Sequence, residues 1–120
     1  IPEVRVDALL TFEEIDRSLY SQMVLLEPFG AENQVPCFVS REVKMREVKL
    51  IGREKKHVRF RAQQDKGQIE GVGFGFADVL ESVDPVTAYF DIAYEINLNT
   101  WNGRDNLEIK LIDIRLSDKP

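Results

Sequence analysis

The side chains of this 120-residue chain that could do chemistry are mainly cationic, and they lie close together. His57, Arg59 and Arg61 stand at i, i+2 and i+4, so an extended strand presents them as one row with a spacing of about 7 Å. Arg53, Lys55 and Lys56 come just before them, in a predicted turn. A cluster of this kind is what an electrostatic groove for a nucleic-acid backbone requires. The other reading is a solvated outer face, because Val58, Phe60 and Ala62 already fill the opposite side of the same strand.

Trp101 lies in a polar hairpin tip, Asn97-Leu98-Asn99-Thr100-Trp101-Asn102-Gly103-Arg104. Beside Arg104 it could serve as a stacking platform, worth about 1–3 kcal/mol per base, or fold back as a cap on the fold. Gly71-x-Gly73-x-Gly75 lacks the third glycine of a dinucleotide fingerprint, since Phe76 stands there. Alternating glycines within a strand predict close backbone approach or sharp coiling instead. No catalytic arrangement is legible. His57 is the one histidine and has no neighbouring Ser or Asp in a triad-like pattern. The acidic residues form no metal-binding spacing, and Asp78, Glu81 and Asp84 read as a solvated face. Cys37, beside Phe38 in an apolar run, reads as a buried, inert thiol. No metal or cofactor is expected in this chain.

The formal net charge is −5, which by itself argues against a nucleic-acid partner. The distribution argues otherwise. Residues 1–40 carry −5, residues 41–66 carry +6 and residues 67–120 carry −6. A basic block therefore lies between acidic flanks. One cysteine excludes an internal disulfide scaffold, and no apolar run approaches a membrane span. A first residue that is Ile and not Met predicts a piece of something longer.

The elements follow from periodicity. A helix is predicted over 11–27, with Thr11 and Glu14 as a capping box and Ile15, Leu19, Met23 and Leu26 as its apolar stripe. A proline-bracketed loop covers 28–36. Strands follow at 37–52, 57–64, 69–76, 86–98 and 107–116, with a short helix over 77–84. Phase slips near Arg46–Glu47 and at Leu111–Ile112 predict β-bulges. In strand 69–76, Val72, Phe74 and Phe76 are assigned to one face and the glycines to the other. One domain over 1–120 is expected: a mainly β, five-stranded Greek-key barrel of the OB type, with an N-terminal helix and a short helix between strands three and four.

Several of these pieces, in this order, resemble the C-terminal OB-type domain of the RecJ family. They are Leu26-Glu27-Pro28-Phe29-Gly30-Ala31-Glu32-Asn33-Gln34-Val35-Pro36-Cys37-Phe38, Gly52, His57-Val58-Arg59-Phe60, Gly73-Phe74, Asn99-Thr100-Trp101-Asn102-Gly103 and Ile112-Asp113-Ile114. Family members often carry Gly where Glu32 stands and Gln where Glu108 stands; Glu108 adds negative charge near the proposed face. The resemblance implies an accessory domain of a 5′ to 3′ single-strand DNA exonuclease of recombination and repair, acting in the bacterial cytoplasm. It also implies a divalent metal, Mn or Mg, in an Asp-His-His (DHH) catalytic core outside this chain. Single-stranded DNA would then be the partner of Arg53, Lys55, Lys56, His57, Arg59, Arg61, Trp101 and Arg104, with no membrane involved. A second reading is an interaction module that packs on the parent's core or on another repair protein, through Phe29, Phe38 and Tyr89.

Overall fold

The computed structural model describes residues 6–25, 35–84 and 87–118, without the side chain of Trp101. The Pro28–Gln34 part of the signature loop, Leu26 of the helix stripe and Val86 lie outside the described residues. Six strands form: β1 (Ala8–Leu9), β2 (Phe38–Ile51), β3 (His57–Gln64), β4 (Gly67–Gly73), β5 (Phe90–Trp101) and β6 (Arg104–Leu116). Their order is β1-β2-β3-β4-β6-β5, and β2 also pairs with β5, so β2–β6 close into a five-stranded barrel. The OB-type architecture expected from strand count and bulges is present.

One long strand closes the barrel. The first part of β2 pairs with β5 (Phe38 opposite Tyr94, Val43 opposite Phe90) and its later part pairs with β3. The expected bulge falls between Arg46 and Lys49, with Glu47 at φ 49°. A second bulge, between Ser40 and Val43, was not legible; there Glu42 takes φ 58° and its N–H donates to Asp91 Oδ1 at 3.1 Å. Each bulge bends the strand toward its next partner. The β6 slip is also found: Tyr94 faces Leu111 and Ala93 faces Asp113, leaving Ile112 as the extra residue. Asn102 and Gly103, both at positive φ, make the two-residue β5–β6 turn.

The predicted helix over 11–27 is divided. Thr11 and Glu14 do form the capping box, but it caps a 3-10 turn, Phe12–Glu14. The helix proper, α1 (Arg17–Val24), has its own cap: Asp16 Oδ1 accepts from the Leu19 N–H at 2.9 Å. The break lets Phe12 enter the core. Its ring meets Tyr94 edge-on at 6.3 Å, its N–H donates to Gln64 Oε1, and Met23 joins the same cluster. This segment covers the barrel end that carries the β3–β4 turn. At the opposite end α2 (Ala77–Glu81) buries Ala77 and Leu80.

In the fourth strand it is the glycines that take the inner face. Gly71 lies opposite Phe60 and Gly73 opposite Val58, both core residues. A Cβ on Gly71 would stand 2.5 Å from the Phe60 ring and 2.8 Å from Ile109. The glycines therefore make room for Phe60 inside the barrel, while Val72 lies on the opposite face of the strand and is still buried, at 6% exposure. The strand ends at Gly73, and Phe74 is 55% exposed.

Candidate nucleic-acid interface

The β2–β3 loop and the start of β3 make a basic corner. Gly52, at φ 89°, opens the turn, and its carbonyl accepts from the Lys55 N–H at 3.2 Å. Arg53, Lys55 and Lys56 are all exposed. Lys56 Nζ lies 2.8 Å from Glu54 Oε2, an exposed pair that solvent and salt weaken. The loop is held in place from α2: the Ala77 N–H donates to the Lys56 carbonyl at 3.1 Å. Next to it the Gly75 N–H donates to His57 Nδ1 at 2.8 Å, so the neutral ring carries its proton on Nε2.

Phe74 is the residue that sequence reasoning missed. Its ring meets His57 edge-on at 5.4 Å and 73°, and it stands exposed beside the basic loop. Alternation grouped it with Val72 and Phe76 on one face of the strand without showing that it is exposed. The local signal is that Gly73 and Gly75 on either side mark the strand end.

The row on β3 is not the open ladder of cations that spacing suggests. Arg61 lies directly opposite Glu70, which accepts from both Nε (3.2 Å) and Nη2 (2.9 Å). Glu47, from the β2 bulge, takes Nη1 at 3.2 Å. The Glu70 hydrogen bond first, then the Glu47 charge, push the guanidinium pKa up. Arg59 Nη1 lies 3.6 Å from Glu108 of β6. Cross-strand register delivers these carboxylates, and spacing along β3 cannot reveal them.

Arg104 is exposed at the first residue of β6, opposite Trp101. Because β6 runs parallel to β4, this hairpin flanks the β3–β4 face from the end away from the basic loop. Loop and hairpin thus bracket one face, the arrangement by which OB barrels hold oligonucleotides. Phe38, a candidate for an exposed apolar patch, is instead buried in the core, Tyr89 is half-buried under Lys44 Nζ at 4.7 Å from its ring centroid, and Phe29 lies outside the described residues.

A family model described as the RecJ OB domain matches residues 6–113. The chain belongs to the RecJ OB domain family. Over 118 residues it is 28% identical to the single-stranded-DNA-specific exonuclease RecJ of Bacillus subtilis (strain 168), covering 98% of this chain and 15% of that protein. It is similar in fold to RecJ of Thermus thermophilus in complex with Mn2+ (TM-score 0.75, 24% identity, 100% of this chain and 16% of that one). The same enzyme in complex with Mg2+ superposes at a TM-score of 0.62 and 24% identity, over 85% of this chain and 14% of that one. The chain therefore spans about a sixth of the length of these RecJ proteins. Among the described residues no group of three His, Cys, Asp or Glu could hold a metal ion.

Proposed function

We propose that this RecJ OB domain grips single-stranded DNA for a metal-dependent 5′ to 3′ exonuclease of bacterial recombination and repair. The observation that carries the reading is the basic loop Arg53, Lys55 and Lys56 standing beside the exposed Phe74–His57 pair. Phosphates would meet the loop cations while a base stacks on Phe74; one cation source and one π-face are the two parts of a sequence-tolerant strand grip. Arg59, Arg61, Trp101 and Arg104 would supply secondary contacts along the same face. Chemistry would belong to the DHH core of the parent, in the cytoplasm, with Mn or Mg held outside this chain.

The test is a titration of the 120-residue chain with a mixed-sequence oligonucleotide at several salt concentrations. Binding should weaken as salt rises, with a log–log slope of about −0.7 per phosphate contacted. Phe74→Ala should weaken it roughly 5- to 100-fold, the range expected for one stacked base. A salt-insensitive titration, or full affinity in the Phe74→Ala variant, overturns the reading.

A second reading, docking on the parent's core, is favoured by the apolar residues near the start of the chain. Val6 is 48% exposed and Leu9 of β1 is 62% exposed. Binding of the separately produced core in the absence of any affinity for DNA would favour it.

A further inference from the structure

The face bracketed by loop and hairpin holds a groove whose chemistry is wrong for phosphate. Strands β4 and β6 pair in parallel at Glu70–Val72 with Glu108–Lys110. Ahead of those pairs they part, leaving a groove of about 520 Å³. Its floor is apolar: Ile15, Ile69 and Leu107, all partly buried against the core. Its rim is made of hydrogen-bonding groups.

Two of those groups are carboxylates on directly paired residues, Glu70 and Glu108. The Glu108 side chain is only 16% exposed. Asn99 Nδ2 donates to its Oε2 at 3.1 Å, which fixes its position and leaves Oε1 without a hydrogen bond among the described residues. Arg59, the one cation on the rim among the described residues, faces that same Oε2 at 3.6 Å, so its charge is already matched. Glu70 spends Oε1 on Arg61, and its Oε2 is likewise unused there. The rim amides of Gln68 and Asn106 carry no hydrogen bond among the described residues. Spare carboxylate oxygens repel phosphate and accept N–H donors. An apolar slot with a polar, acceptor-rich rim matches the flat faces and amino-bearing edge of a nucleobase.

We infer that this groove reads a base that carries an exocyclic amino group, with Glu108 accepting from the amine. The inference rests on the single-strand reading above and specifies which part of the strand lies where: backbone over the basic loop, a base edge in the β4–β6 groove. Cytosine and adenine offer the amino donor. Thymine offers carbonyl oxygens on both sides of its ring N–H, and those face the carboxylates unfavourably. The domain is thereby a selective grip, weakest on thymine tracts.

The experiment compares oligo-dC, oligo-dA and oligo-dT of one length at one salt concentration, using the 120-residue chain and its Glu108→Gln variant. Wild type should bind dC and dA about fivefold or more tighter than dT, the scale of one good base-edge contact. Glu108→Gln keeps the shape of the side chain and gives the rim a donor, so dT binding should rise and the preference shrink to within about twofold. A ligand-side arm is independent of how the variant folds: replacing the adenines of oligo-dA by purine, which lacks the 6-amino group, should lower wild-type affinity toward that for dT. Equal binding of dC, dA and dT by wild type overturns the base reading and leaves the single-strand reading standing. Failure to bind these or a mixed sequence overturns both. Unchanged preference in Glu108→Gln removes Glu108 from the role.

Discussion

At the scale of residues, the buried polar side chains among the described residues all have hydrogen-bond partners. Tyr94 is fully buried, and its hydroxyl lies 2.7 Å from Ser40 Oγ. Ser40 in turn donates to the Leu10 carbonyl at 2.7 Å, so Tyr94 must donate to Ser40. The chain ties the segment after β1 to the barrel wall. Burial pushes the Tyr94 pKa up to about 12, and the charges of Glu14 and Cys37 raise it further. The folded chain therefore holds that proton more tightly than the unfolded chain, whose value is near 10. The stabilisation is full below pH 10 and is lost as pH rises through 12. Urea unfolding at about pH 7 and about pH 11, on either side of the unfolded-state value, should show the drop. Tyr94→Phe should abolish much of that pH dependence and cost about 1 kcal/mol near neutral pH, the net worth of one hydrogen bond.

At the scale of elements, the strand and the loop before it carry the same charges and put them to different uses. On β3 the register brings Glu70, Glu47 and Glu108 to the arginines. In the loop, Arg53 and Lys55 have no ion pair among the described residues. The expectation is therefore asymmetric. Arg53→Ala, Lys55→Ala and Lys56→Ala together should flatten the salt slope of DNA binding by about 2, from roughly 0.7 per phosphate. Arg61→Ala should leave the slope nearly unchanged, because its charge is already matched on two sides. Equal effects of the two variants in the same salt titration would refute this division. Much of the element layer was legible. The β3 bounds, the bulges at Arg46–Lys49 and Ile112 and the Asn102-Gly103 turn all follow from local periodicity and turn chemistry. The bulge at Glu42 was not, because its cause is a contact with Asp91 of β5. The helix break was missed for a related reason: Ile15 and Leu19 keep a helical spacing across a kink that only the burial of Phe12 requires.

At the scale of the whole molecule, the barrel is closed at both ends by pieces outside its five strands. Phe12 is 5% exposed and bridges Tyr94 of β5 to the β3–β4 turn, where a Cβ on Gly67 would lie 2.7 Å from its own Cβ. Phe12→Ala should open that end and destabilise the domain by about 3–5 kcal/mol. Thermal unfolding would read this as a fall of roughly 10 °C or more; a fall of a degree or two would mean that the plug is dispensable. The same closure sets the electrostatics. The basic segment, residues 41–66, supplies most of β2 and all of β3, which pair with β5 and β4 of the acidic stretch that follows, so the net charge of −5 describes no particular surface.

By itself the sequence determined the barrel class, the position of the basic segment and the family to which the chain belongs, because these rest on alternation, turn residues and short motifs that neighbours along the chain specify. The tertiary structure alone decided which cations are already matched, that Phe74 faces solvent while the glycines of β4 face the core, and that two carboxylates share one groove. Those outcomes depend on register between strands far apart in the sequence, where pairing across the sheet, and not spacing along it, brings charges and rings together.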